Sequence, residues 1–130
     1  MFVNRETDYA IRIVRNLDDN ELSQIDTISQ KENISVTMAH KVARKLKNKG
    51  VIDSKPGVNG GYYLNRPLSE ITLFDVYGAM NTTADINACI ADRDLCPFAQ
   101  TEACKVHSEL CRIQDILHEE LKKKPISELL

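Results

Sequence analysis

Cys89, Cys96, Cys104 and Cys111 stand with six, seven and six residues between them, and thiolates are soft ligands suited to iron–sulfur clusters or zinc. Cys104, His107 and Cys111 fall at i, i+3 and i+7, so a helix running through them would put all three on one face. The spacing lacks the C-x-x-C pairs of a structural zinc ribbon, which disfavours zinc without removing it. Inert buried thiols and reversible disulfide chemistry are the other readings of the same residues, and a lone histidine such as His107 is more often a surface residue than a ligand. Four cysteines without a secretion signal are read as ligands or redox groups, because the cytosol keeps thiols reduced.

The second chemistry is phosphate recognition. From Met38 to Lys55 six basic residues (Lys41, Arg44, Lys45, Lys47, Lys49 and Lys55) stand against one acid, Asp53. That local balance of +5 sits in a chain of net charge −2, so the remainder carries −7. Gathering positive charge in one stretch of an acidic chain suits a polyanion, because phosphate neutralisation with counterion release supplies most non-specific affinity. A solvated basic helix face is the bland alternative. Trp is absent and aromatics are 5%, so a stacking platform for single strands is not expected. Duplex DNA is the expected partner.

Helices and a hairpin must position these groups. Ser35 is expected to cap a helix that stops at Gly50, with Val36, Ala39, Val42, Ala43 and Leu46 on its buried face. Thr37, His40, Lys41, Arg44, Lys45 and Lys47 are left for solvent or a ligand. A short helix opened by a capping box at Ser23-Gln24-Ile25-Asp26 precedes it, across a turn at Asn33-Ile34. Strands at Val51–Lys55 and Tyr62–Leu64 flank Pro56-Gly57-Val58-Asn59-Gly60-Gly61, a turn whose backbone can approach phosphates closely. Together these make a winged helix-turn-helix: a mainly α fold with a small β-hairpin.

Around that unit, a first helix is expected over Arg5–Leu17, with Ala10, Ile13, Val14 and Leu17 inward and Asp8 and Arg12 exposed. Thr72 and Asp75 form a second capping box, opening a helix to about Met80 that packs through Leu73, Val76 and Tyr77. Periodicity then fails from Asn81 to Thr101, a stretch unusually long for a compact domain unless something holds it. From about Glu102 a long helix carries Val106, Leu110, Ile113, Leu117 and Leu121 as a stripe, most simply a seam with the same helix of a second subunit, and Pro125 stops it. The expected organisation is a DNA-binding domain over 1–81, a cysteine-bearing loop over 82–104, and a dimerisation helix with a C-terminal tail over 105–130.

Thr7-Asp8-Tyr9-Ala10, Ile34-Ser35-Val36, Leu46-Lys47-Asn48-Lys49-Gly50-Val51-Ile52, Gly57 with Gly60-Gly61-Tyr62 and Leu64, Ile71-Thr72-Leu73, and Cys104-Lys105-Val106-His107 resemble the Rrf family of bacterial winged-helix transcription regulators over nearly the whole chain. The resemblance implies a homodimer on palindromic operator DNA, contacting it through positions matching Ser35, Thr37, Met38 and Lys41 and through the wing. In cluster-binding members three loop cysteines hold a two-iron or four-iron cluster; they map onto Cys89, Cys96 and Cys104. The fourth ligand maps either onto His107 or onto Asp8 of the partner's first helix. This chain departs in three places: loop spacings of six and seven replace five, Pro56 stands where a wing Arg is common, with Lys55 beside it, and Cys111 replaces a common aromatic. The last is a further candidate ligand or a resolving thiol.

The expected function is a DNA-binding regulator, most simply a repressor, switched by an iron–sulfur cluster that senses nitric oxide, redox state or cluster supply. Its DNA-facing residues are expected to be Ser35, Thr37, Met38, His40, Lys41, Arg44, Lys45, Lys55, Asn59 and Gly60. The alternative keeps the DNA and replaces the cluster by thiol–disulfide chemistry or by a partner protein, as in the cysteine-metabolism branch. A zinc module or small metalloenzyme is least favoured, because no nucleophile–base motif, P-loop or dinucleotide fingerprint occurs. No apolar run approaches the roughly 20 residues of a membrane span, and a cytoplasmic protein is expected.

Overall fold

In the computed structural model, which describes residues 4–81, 85–96 and 104–130, helix α1 spans Arg5–Val14. Asn4 caps it, accepting from the Glu6 and Thr7 amides at 2.9 and 3.2 Å, while Thr7 Oγ1 accepts from the Asn4 amide at 2.9 Å. The helix stops before Leu17, yet Leu17 is buried. The Asn16 and Leu17 amides bond to Ile13 and Val14, three residues back, so a tighter turn prolongs the apolar face.

Helix α2 (Ile25–Lys31) brings Ile25 and Ile28 into the core. The capping box expected at Ser23 does not form: Gln24 is the N-cap and no side chain caps the helix. Ser23 is instead drawn into an isolated antiparallel bridge with Tyr62, each amide donating to the other's carbonyl at 2.9 and 2.8 Å. Asn33, in the left-handed region at φ 53°, turns the chain toward α3 (Val36–Asn48). Ser35 caps α3 as expected, its hydroxyl accepting from the Met38 amide at 3.3 Å. Ala39, Val42, Ala43 and Leu46 are buried, but Val36 is 45% exposed, because it occupies the first helical position at the rim of that face. Gly50, at φ 73°, closes the helix: its amide bonds to Lys47 O and that of Val51 to Leu46 O, the paired contacts of a left-handed C-terminal cap.

Strands β1 (Ile52–Lys55) and β2 (Gly61–Leu64) pair antiparallel, with Ile52 opposite Leu64 and Lys55 opposite Gly61. Helix α4 (Leu73–Met80) starts in the expected capping box, the Thr72 amide donating to Asp75 Oδ2 at 2.8 Å. The connection beyond it is less irregular than its sequence suggests, holding a helical turn α5 (Ala88–Ala91) and a 3-10 turn at Arg93–Leu95. Helix α6 runs from Lys105 to Lys122.

The core gathers around Ile13, Leu46, Ile52, Leu64 and Ile71, and Ile126 joins it from the far end of the chain. After α6, Pro125 bridges Thr72 and the Ile126 amide donates to Ile71 O at 2.7 Å. The C-terminal tail thus joins the winged-helix core through Ile126, while the residues after it stay exposed. The apolar stripe of α6 divides: Leu110, Leu117 and Leu121 are half-buried, while Val106 and Ile113 remain exposed, as does Ile116 outside the stripe. The single buried residue of α6 is polar. Gln114 accepts from the Ile86 amide and donates to Asp85 Oδ1, both at 2.9 Å, and so ties the segment after α4 to α6.

Candidate nucleic-acid interface

With Ala39, Val42, Ala43 and Leu46 turned inward, the helical period points Thr37, Lys41, Arg44 and Asn48 outward. All four are exposed. The basic residues of this helix differ in how free they are. The side chains of Arg44 and Lys49 make no hydrogen bond or ion pair among the described residues. Lys41 Nζ lies 2.6 Å from Glu6 Oε1, and Lys45 donates to the other oxygen of the same carboxylate and to Met80 O at 3.4 Å. Lys47 reaches Asp53 at 3.3 Å and Ser54 Oγ at 2.7 Å. The local charge of +5 read along the sequence is therefore partly offset by Glu6, which comes from a different helix. The Lys41 and Lys45 contacts hold the Glu6 carboxyl below its usual range, and the Ser54 amide, then Lys47, does the same for Asp53.

The other expected residues occupy varied positions. Ser35 and Thr37 are exposed at the N-terminus of α3, whereas Met38 is half-buried against the core. His40 is exposed and pairs with Asp26 at 2.9 Å. On the wing, Lys55 Nζ lies 5.9 Å from the centre of the Tyr63 ring, within cation–π range. Asn59 is exposed beside Val58, which is 98% exposed at the tip.

Gly60 differs from the role expected of it. It is buried, and its amide is taken by Gly57 O at 3.0 Å, so it offers no free donor to a phosphate. A Cβ there would lie 2.0 Å from Lys55 O, so only glycine fits. Its carbonyl accepts from Gln24 Nε2, which braces the wing against the start of α2. Glu6, Gln24 and Ser23 are the positions that reading along the chain missed. Each acts on a residue more than thirty positions away, and only the capping-like polar run around Ser23 marked any of them in advance.

The four cysteines are half-buried and unpaired. Cys104 is the N-cap of α6, its Sγ accepting from the His107 amide at 3.4 Å, and Cys111 Sγ lies 3.5 Å from His107 Nε2. Cys89 lies in α5 and Cys96 just beyond the 3-10 turn. Asp8 is exposed on α1, paired with Arg12 at 3.0 Å. Among the described residues no three of Cys, His, Asp or Glu lie close enough together to hold a metal ion. The donor set itself, soft thiols accompanied by an imidazole, has the chemistry an iron–sulfur cluster takes.

A capped helix with an outward basic face, preceded by a helix and tight turn and flanked by a braced glycine-rich hairpin, defines a winged helix-turn-helix DNA-binding protein. The family described as Rrf2, iron-dependent transcriptional regulator, matches residues 3–130, and the chain belongs to that family: it is a transcriptional regulator and not an enzyme.

Protein aau3 of Rhizobium meliloti is 29% identical over 133 residues, covering all of this chain and 85% of that protein. A protein named as an HTH-type transcriptional regulator, ORF2 of Azotobacter vinelandii, is 28% identical over 103 residues, covering 79% of this chain and 61% of its own length. Among solved structures, the global cysteine regulator CymR of B. subtilis superposes with a TM-score of 0.75 at 20% identity, over 98% of this chain and 94% of that one. IscR of T. potens superposes with a TM-score of 0.69 at 15% identity, over 98% and 84%. These two likenesses establish the fold. No helix among the described residues is long and apolar enough to cross a membrane.

Proposed function

We propose that the chain works in the cytoplasm as a homodimeric repressor whose α3 and wing grip a palindromic operator, with the grip set by an iron–sulfur cluster. The observation that carries the DNA half is the outward face of α3, where Arg44 stands exposed and unpaired between Thr37 and Asn48. Thr37, Lys41 and Arg44 face the major groove, and Ser35 and His40 flank them. Lys55 and Asn59 follow the backbone from the wing, while Gly60, Met38 and Lys45 hold the surface in shape. Exposed Val106, Ile113 and Ile116 on α6 give a second copy an apolar face to cover. A two-fold dimer then presents two α3 helices to two half-sites.

Cys89, Cys96 and Cys104 would hold the cluster, with Asp8 of a second copy, His107 or Cys111 completing the set. When bound, such a group supplies reactivity toward oxidants and nitric oxide. The chain's own part is transmission. Residues 85–96 are tied to α6 through Gln114, α6 packs on α4, and α4 packs on both α1 and α3. Those contiguous contacts give the cysteine segment a physical route to the DNA-facing helix. A coupling of about 1–3 kcal/mol along it gives roughly a 5–150-fold change in affinity, enough for a switch.

The test is anaerobic purification from iron-replete cells, followed by an absorption spectrum, an iron assay and duplex binding before and after chelation. Coloured, iron-containing protein whose affinity shifts on stripping is expected. Colourless, iron-free protein with one unchanging affinity sinks the cluster reading.

One contact favours a second reading, in which thiol chemistry is the signal: Cys111 Sγ sits beside His107 Nε2. Cys104 and Cys111 are not its disulfide pair while α6 stands, because seven residues of helix separate their backbones by about 10 Å, beyond the roughly 7 Å a disulfide tolerates. Peptide mapping after mild peroxide should therefore find Cys111 oxidised alone or bridged to Cys89 or Cys96. A Cys104–Cys111 bridge in folded protein rules that assignment out.

A further inference from the structure

Glu6 occupies the first turn of α1 and places one oxygen on each of two recognition-helix lysines, Lys41 and Lys45. Its side chain is only 19% exposed, whereas Lys41 is 54% and Lys45 37% exposed. The carboxylate thus has little room to leave. Lys41 can swing outward, and Lys45 is further held by Met80 O. Nothing about the helix itself requires this arrangement. Lys41 and Lys45 are one turn apart and would repel each other weakly if unpaired, and a neutral residue at position 6 would still leave α1 capped by Asn4.

We propose that Glu6 is a specificity-determining residue: a built-in rival to DNA phosphate that keeps Lys41 and Lys45 from adding to sequence-independent affinity. Phosphate contacts position a protein on DNA without carrying sequence information. A free lysine on α3 would tighten the grip on every duplex alike. With Glu6 in place, such a contact forms only where the fit to DNA is close enough to draw a lysine from its carboxylate. Arg44 and Lys49, which have no such rival among the described residues, supply the unconditional part of the charge. The lowered pKa of Glu6 is consistent with a carboxylate ionised whenever the protein meets DNA. The inference rests on reading α3 as the DNA-facing helix.

The experiment compares the unmodified full chain with Glu6→Gln on a random-sequence duplex of about two helical turns, across a salt series, with thermal melting of both proteins. Glu6→Gln should bind the random duplex more tightly at low salt and lose affinity more steeply as salt rises. Between roughly 50 and 200 mM salt its extra loss should be about 3-fold if Lys41 alone reaches phosphate, and about 12-fold if both lysines do. Should Glu6→Gln fail to fold, Glu6→Asp carries the same test, because its shorter arm cannot span both lysines, and the expected extra loss is about 3-fold. A folded variant whose salt dependence matches the unmodified protein overturns the inference and leaves Glu6 as a brace between α1 and α3. An unmodified protein that binds no duplex overturns the DNA reading, and this inference with it.

Discussion

Arg15 extends from the end of α1 to Glu32, its Nε donating to Oε1 at 2.9 Å and a terminal nitrogen to Oε2. Glu32 closes α2 immediately before the turn into α3 and is 7% exposed. Asn16 also donates to its carboxylate, and Arg12 donates to its main-chain oxygen at 3.3 Å. One buried carboxylate therefore ties the first helix to the turn that aims the recognition helix.

Acid should undo this tie. Arg15, assisted by Asn16, holds the Glu32 carboxyl below its usual range, as Lys41 and Lys45 do for Glu6. A carboxyl whose folded pKa is depressed stabilises the fold above its unfolded value, about 4.3, and loses that contribution as pH falls through the folded one. Melting temperature is expected to hold from neutral pH to about 5 and to fall below about 4.3. Glu32→Gln should cost about 1–2 kcal/mol at pH 7, a value between the exposed and buried limits because Arg15 is 45% exposed. It should also flatten the acid limb. An unchanged acid limb in the variant would show that other carboxylates govern acid unfolding.

The wing offers a sharper steric prediction. A Cβ at Gly60 meets Lys55 O at 2.0 Å and Pro56 C at 2.8 Å, backbone atoms that cannot rotate away. Gly60→Ala should therefore displace the turn between β1 and β2 at a cost of about 1–3 kcal/mol, leave the helices intact by circular dichroism, and weaken duplex binding. Gln24→Ala removes only the brace on the Gly60 carbonyl and should give a smaller loss of the same kind. Equal duplex binding by Gly60→Ala and the unmodified chain would remove the wing from the interface.

At the centre of the outward face, Arg44→Ala separates two kinds of contact. If the guanidinium reads a base edge, selection at one operator position should relax by about 1–3 kcal/mol. If it meets phosphate, binding should weaken evenly across sequences and the salt slope shrink by about 1. A variant that binds every duplex as before would place the interface elsewhere than on α3.

What could be read along the chain was whatever depends on near neighbours. Ser35 capping α3, Asn33 turning into it, Gly50 ending it and Thr72 with Asp75 opening α4 are each settled within a few residues. Ser23 looked like another cap by the same logic, but Tyr62, almost forty residues on, competed for its backbone and won. Glu6 is hidden in the sequence for a related reason: an acid in an N-terminal turn, here beside Asp8, looks like a helix-dipole partner until folding sets two lysines against it. Family position and composition put Met38 and Gly60 on the DNA side, yet packing turns the first toward the core and encloses the second. The stripe on α6 is legible as a period, but α4 and α5, packed beside it, decide which of its residues stay uncovered.

Ile126 supplies the last prediction, because it is where a tail and a core residue have different consequences. It is 1% exposed, and its amide donates to Ile71 O at 2.7 Å, with Pro125 bridged to Thr72. Truncating a buried isoleucine removes its transfer free energy and leaves a cavity, together about 2–5 kcal/mol. Ile126→Ala should therefore lower the denaturant midpoint by a large fraction of a typical domain's stability of about 5–15 kcal/mol. Since the contact lies within one chain, that loss should be the same at every protein concentration. A tail that instead reached across to a second subunit would give a loss that grows on dilution, and a concentration-dependent difference between Ile126→Ala and the unmodified protein would overturn the intrachain assignment.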